Sequence, residues 1–233
     1  LGHSLGGIVC AAAAALQPER FAGVVTLGPP HALGRGHLVL GSALKVASVF
    51  ARTGVLRGSR VRLPVDLIGK AVHMTRAAWD SPRAPIPVRA WKPGAFSKDE
   101  LRSYISGSFD SDSLGVVHDL CGLASTGQLH SRARALSYTA LIESSTLPLL
   151  VLAGSEDLLA NPGSVKPIFE RSGARDRSYV KLDAGHGDLL VGAQAPASTW
   201  PVVTRWLQAR LGAVVAPGSL PPGCHDGGQA RSA

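Results

Sequence analysis

Seven residues constrain this chain more than any others. Leu1-Gly2-His3-Ser4-Leu5-Gly6-Gly7 holds the pattern Gly-x-Ser-x-Gly, which suits a sharp strand-to-helix turn with a serine at its tip. Gly7-Ile8-Val9-Cys10 and the alanines at 11–15 are apolar and helix-favouring. A buried helix is therefore expected to start just after the serine. The N–H of Leu5, at its first position, can face a developing oxyanion. Gly2 and Gly6 flank Ser4, where a side chain is expected to crowd the turn. A serine hydroxyl is a weak nucleophile until a base takes its proton, so the pattern calls for a base and for a group to orient it.

Two later segments supply both, in the order serine, acid, histidine. Leu147-Pro148-Leu149-Leu150-Val151-Leu152-Ala153 is a continuous apolar run suited to a buried parallel strand. It ends in Gly154-Ser155-Glu156-Asp157. Asp157 thus falls just past the carboxyl end of a strand, where open parallel sheets place ligand-binding residues. Glu156 is the competing carboxylate. Ser178-Tyr179-Val180-Lys181-Leu182 is a shorter strand candidate, and it leads to His186 between Gly185 and Gly187. These positions suggest Ser4 as nucleophile, His186 as its base and Asp157 as the carboxylate that orients the imidazole.

The remaining histidines fit other roles. His3 is expected to pack beside the serine. His31 and His37 fall in a glycine-rich loop, His73, His118 and His130 are scattered, and His225 is near the end. With Cys10, Cys121 and Cys224 they make no metal-ligand spacing, so neither a metal nor a cofactor is expected. Cys10 is expected to be a buried thiol on an apolar helix, and nothing demands disulfides.

Together these segments resemble the α/β-hydrolase fold family, in its serine esterase and lipase-like members. Gly2-His3-Ser4-Leu5-Gly6-Gly7 is similar to the nucleophile elbow of that family, and Gly154-Ser155-Glu156-Asp157 to its acid loop. Gly185-His186-Gly187-Asp188-Leu189-Leu190, with residues 200–207, is similar to its histidine loop and last helix. Residues 17–30 match its helix-to-strand passage after the elbow. The likeness covers about 1–30 and 147–211. It implies the C-terminal part of an α/β sheet, with about three parallel strands legible at 23–27, 147–153 and 178–182, side by side. It also implies five strands ahead of the elbow helix and an early loop with a second oxyanion N–H. The chain is accordingly expected to be truncated at the elbow, with strand 23–27 left as an open apolar edge.

The length suits one domain with an insertion. The core is expected from 1–30 and 146–212, a largely helical cap or lid from 31–145, and a flexible Pro/Gly/Ser-rich tail from 213–233. Within the cap, 38–50 has helical spacing, with Leu40, Leu44, Ala47 and Phe50 on one face. Pro82, Pro85, Pro87 and Pro93 break the middle. Ser97 and Glu100 form a capping box for a helix, and 116–123 and 129–141 are further helix candidates. The net charge is +8, and the excess lies in 31–145, which has fifteen Lys and Arg against eight Asp and Glu. Arg52, Arg57, Arg60 and Arg62 are the densest patch. They lack the interleaved aromatics of a single-strand platform, so a solvated basic face is expected and no nucleic-acid partner. Such a face is compatible with anionic substrates or a membrane surface.

The expected chemistry is cleavage of a small, apolar acyl ester through an acyl-enzyme on Ser4, with His186, Asp157 and the Leu5 N–H. The same residues could pass the acyl group to an alcohol, as an acyltransferase does, and a truncated chain could be a non-catalytic fragment. The sequence leaves these open. The first residues lack a signal-peptide pattern, and no stretch of about eighteen apolar residues suggests a span. A cytoplasmic location is expected.

Overall fold

The computed structural model describes residues 1–51, 62–63, 65–84, 86, 88–108 and 112–211. Arg52, Arg57 and Arg60 of the basic patch, and the expected tail from 213, lie outside the described residues. The chain opens with strand β1 (Gly2–His3), helix α1 (Leu5–Leu16), a 3₁₀ turn (Pro18–Arg20) and β2 (Val24–Leu27). There follow α2 (Leu38–Ala51), β3 (Arg62–Leu63), α3 (Val65–Met74), α4 (Arg76–Trp79), α5 (Lys98–Ser108), β4 (Asp112–Ser113), α6 (Leu114–Thr126) and α7 (Tyr138–Ser144). The last part is β5 (Leu149–Gly154), α8 (Pro162–Arg171), β6 (Arg177–Leu182), α9 (Asp188–Val191) and α10 (Thr199–Leu211).

The main sheet is parallel throughout, in the order β1-β2-β5-β6. The three expected strands are all in it, side by side. The edge differs from expectation: Gly2 and His3 pair with Thr26 and Leu27, so a two-residue strand flanks β2. Residues of β2 and β5 are buried along their whole length, which is why they read as unbroken apolar runs. Their side chains alternate between two clusters. Val24, Leu149, Val151 and Ala153 pack with α1, α7 and α8 on one face. Val25, Leu27, Leu150 and Leu152 pack with Val203 and Trp206 of α10 on the other. The result is a three-layer α/β/α arrangement whose strands all point their carboxyl ends to one edge. Elsewhere β3 and β4 form an antiparallel pair.

Within 31–145, α2 spans the expected helix, and the half-buried Leu40, Leu44 and Ala47 share one face with the buried Ser48. The capping box before α5 is formed. The Ser97 N–H donates to Glu100 Oε2 (2.8 Å), and the Glu100 N–H donates to Ser97 Oγ (3.3 Å). Helices α3 and α4 were absent from the sequence-based expectations; Gly69 within α3 weakens its helical signal. The expected helix at 129–141 is corrected to a shorter α7. Ser137 Oγ accepts the Ala140 N–H (3.1 Å) and starts the helix there, while Arg134 takes a left-handed φ of 54° and His130 bridges Ser137. Helix α7 also packs on α1 and α8, so it covers the sheet although it falls inside the expected cap. Cys10 is half-buried rather than buried, and its Sγ donates to the Leu1 carbonyl (3.3 Å). Among the described residues no helix is long and apolar enough to cross a membrane.

Burial on the two sides of this structure sets contrasting costs. Ile168, fully buried against the sheet, should lose about 2–5 kcal/mol on replacement by alanine. Leu38, 86% exposed, should change stability by no more than about 0.5 kcal/mol in Leu38→Ala. Urea unfolding of the two variants checks this, and equal costs would contradict the layering.

Candidate active site

The turn at Ser4 has the backbone of a strained corner. Its φ is 56° and its ψ is −130°, outside the regions open to ordinary L-residues and costing on the order of 1–3 kcal/mol. The surroundings hold it there: the Ser4 N–H donates to the Leu27 carbonyl (2.8 Å), and the Gly7 N–H donates to the Ser4 carbonyl (2.9 Å). A Cβ on Gly2 would collide with the backbone of Gly6, and one on Gly7 would lie 3.2 Å from the Gly2 carbonyl and 3.3 Å from Pro29 Cβ. A Cβ on Gly6 would meet nothing within 4 Å. The expectation for Gly6 is therefore corrected: the crowded positions are Gly2 and Gly7, because the chain folds back on itself across the turn. Leu5 is the first residue of α1, so its N–H has no acceptor inside the helix.

The acid and histidine loops meet backbone to backbone beyond the ends of β5 and β6. The Ser155 N–H donates to the Leu182 carbonyl (2.8 Å) and the Glu156 N–H to the Ala184 carbonyl (3.0 Å). A side chain on Gly154 would strike Ala184. Asp157, 1% exposed, and His186, 4% exposed, face each other across this junction. His186 Nδ1–H donates to Asp157 Oδ2 (2.7 Å). Asp157 Oδ1 accepts the N–H groups of Leu159 (2.9 Å) and Ala160 (2.6 Å). Glu156 is exposed. With Nδ1 engaged, Nε2 is the basic nitrogen of the imidazole.

Two neighbours tie this pair to the serine turn. His3, adjacent to Ser4, donates from Nε2 to the His186 carbonyl (2.9 Å), with ring centroids 4.6 Å apart. Burial, and then the nearby His186, lower the His3 pKa to about 4. Gly28, with φ +57°, follows the Leu27 carbonyl that holds Ser4. A Cβ on it would lie 3.2 Å from His186 Nδ1 and 3.4 Å from Asp157 Oδ2. Gly28 thus lets the end of β2 pass against the pair. The sequence marked it only as part of Gly28-Pro29-Pro30, with no sign that a ring would sit on it.

The other histidines stand apart. His31 is buried and bonded to Glu143 (2.9 Å), which also meets Arg171 (3.2 Å); burial lowers its pKa against the pull of Glu143. Among the described residues no group of three His, Cys, Asp or Glu side chains is placed to hold a metal ion. Asp188 is buried beside His186 and was not singled out in the sequence. It accepts the N–H groups of Gly185 (2.7 Å) and Lys92 (3.2 Å).

Two measurements test this geometry. Gly2→Ala should destabilise by about 1–3 kcal/mol through overpacking, whereas Gly6→Ala should stabilise by about 0.4–1 kcal/mol; the reverse order in urea unfolding would contradict the turn. His3 should titrate with a midpoint near 4 when followed by NMR, and a midpoint near 6.5 would contradict the desolvation of this half-buried ring. Because the folded value lies below the unfolded one, the stability His3 confers is present above about 6.5 and is lost as pH falls toward 4.

The sequence matches no family model and no curated protein. Solved structures do resemble it. The monoacylglycerol lipase of Paleococcus ferrophilus is 19% identical with a TM-score of 0.54, the match covering 90% of this chain and 67% of that one. A thermophilic esterase from Thermogutta terrifontis is 19% identical with a TM-score of 0.54, covering 90% and 64%. A soluble variant of the monoglyceride lipase of Saccharomyces cerevisiae is 17% identical with a TM-score of 0.55, covering 90% and 64%. The chain thus spans about two thirds of the length of each. On this likeness, its parallel sheet and its covering helices, the chain has the α/β-hydrolase fold.

Proposed function

We propose that this chain carries the catalytic residues of a serine hydrolase that cleaves carboxylic esters. The observation that carries the proposal is the buried Asp157–His186 hydrogen bond (2.7 Å) beside a serine held at φ 56°. The solved structures it resembles include lipases and an esterase, which supports an ester as the substrate class.

Each residue then has one task. His186 Nε2 takes the proton as Ser4 Oγ attacks the ester carbonyl carbon. Asp157 fixes the tautomer through Nδ1 and stabilises the imidazolium. The Leu5 N–H donates to the oxyanion of the tetrahedral intermediate. Collapse of that intermediate expels the alcohol, which takes the proton from His186 and leaves an acyl group on Ser4. Water then attacks the acyl group by the same steps in reverse roles. Asp157 is favoured over Glu156 as the acid because it is buried and bonded, whereas Glu156 is exposed. Residues of 31–145 form a cap beside the site: the Gly187 N–H donates to the Ala90 carbonyl (2.6 Å), and Tyr104 packs against Gly187.

A fluorophosphonate probe tests the proposal, since it reacts only with an activated serine. The wild-type chain should be labelled, Ser4→Ala should not, and His186→Ala should be labelled far more slowly. Asp157→Asn should slow labelling by up to about 10⁴-fold, as in the serine-protease template. A folded wild type that resists labelling would overturn the assignment of Ser4. A larger loss in Glu156→Gln than in Asp157→Asn would move the acid to Glu156.

A further inference from the structure

Asp188 is a buried carboxylate, 5% exposed, that the proposed chemistry does not use. Among the described residues it forms no ion pair. Lys92, whose amide bonds Asp188, directs its ammonium to Asp183 instead (2.6 Å). Asp188 bonds a backbone amide of its own loop and one from far along the chain: Oδ2 accepts the Gly185 N–H (2.7 Å), and Oδ1 accepts the Lys92 N–H (3.2 Å). Burial pushes its carboxyl group above the ordinary range, while these amides pull it back. A buried group at such cost is expected to be tied to something that matters.

The Lys92 amide belongs to a strap, residues 89–97, that is itself firmly held. Arg89, buried, donates from Nε to the Trp91 carbonyl (3.0 Å). The Trp91 indole N–H and the Gly94 N–H both donate to Asp80 Oδ1 (3.2 and 3.0 Å). Trp91 and Phe96 pack with Leu101 and Ile105 of α5. This strap runs against the histidine loop with no room to spare. A Cβ on Gly185 would collide with Lys92 N, and one on Gly187 would collide with the Tyr104 hydroxyl. The backbone around His186 is therefore pinned at three successive residues. The Gly185 N–H goes to Asp188, the His186 carbonyl takes His3, and the Gly187 N–H goes to Ala90.

We propose that Asp188 is a positioning residue for His186: by clamping the Gly185 and Lys92 amides together, it locks the histidine loop to the strap and so holds the imidazole against Asp157. This rests on the triad assignment above. Asp188 touches neither the substrate nor the reacting atoms, and acts through the backbone on both sides of His186. An asparagine at this place has one acceptor oxygen and one donor NH2. It can accept from only one of the two amides, so the clamp that joins the loop to the strap is broken while the side-chain volume is kept.

The test compares the wild type with Asp188→Asn by two readouts. The first is the downfield NMR resonance of the His186 Nδ1 proton, which reports the bond to Asp157 whether or not Ser4 is reactive. The second is fluorophosphonate labelling across probe concentrations, which separates the limiting rate from the half-saturating concentration. In a folded Asp188→Asn protein the resonance should broaden or vanish. The limiting rate should fall by up to about a hundredfold, the cost of a small misplacement of a catalytic group, with half-saturation unchanged. A merely structural role would lower the melting temperature and leave both readouts of the folded protein unmoved; that result would overturn the proposal. An unlabelled wild type with a resonance sensitive to Asp188→Asn would defeat the triad assignment and leave the clamp standing. Should Asp188→Asn fail to fold, hydrogen exchange on the wild type decides: the Gly185 amide should be strongly protected, and exchange at the rate of an open loop would overturn the clamp.

Discussion

A carboxylate taken out of water must have its lone pairs met by donors, or the fold pays for an uncompensated charge. Asp157 meets that condition with three donors, the N–H groups of Leu159 and Ala160 and the imidazole of His186. The first two come from its own loop. The third comes only if β5 and β6 end level with each other and their following loops touch. Much of the architecture serves that junction. The β5–β6 ladder runs in register from Leu149 opposite Arg177 to Gly154 opposite Leu182, and two further backbone bonds extend it to the Ala184 carbonyl.

The same edge receives the serine turn from the other side. β1 and β2 are parallel to β5, and both end opposite Leu152, close to the carboxyl end of β5. The Leu27 carbonyl that fixes the Ser4 N–H is followed at once by Gly28, whose missing side chain admits the His186 ring. Close approach at Gly2, Gly154 and Gly185 is thus a single requirement repeated: backbones pass there at distances that exclude a Cβ, while Gly7 and Gly28 sit in tight contact that a side chain would crowd. His3 and Asp188 then hold the histidine loop from the elbow and from the strap respectively.

How much of this was legible in the sequence depended on whether the cause was local. The runs 23–27 and 147–153 betrayed their strands because both faces are buried, and the apolar run shows that directly. Ser97 and Glu100 announced α5 because a capping box needs only three residues. Ser4, Asp157 and His186 each follow a strand, which is the signal that proposed them, whereas His3, expected beside the serine, has its ring on His186. Gly6 was misjudged because its place in the pattern mirrors that of Gly2, while the crowding comes from the path of the chain across the turn. The 129–141 stretch, a helix candidate, was misjudged because Gly127, Arg134 and Ser137 set a turn first. Asp188 and Gly28 gave no local signal. The Lys92 amide that meets Asp188, and the His186 ring and Asp157 carboxylate that lie over Gly28, come from segments far away in sequence, and only the fold brings them together.

The central claim is that Ser4 is the atom-bearing nucleophile and that the Asp157–His186 pair activates it. The most direct measurement is rapid-quench mass spectrometry of the protein mixed with excess short-chain p-nitrophenyl ester. The account predicts a transient acyl adduct that maps to Ser4 and builds up further when water attack is slowed. Ester turnover with no adduct on Ser4, or an adduct confined to another residue, would contradict it.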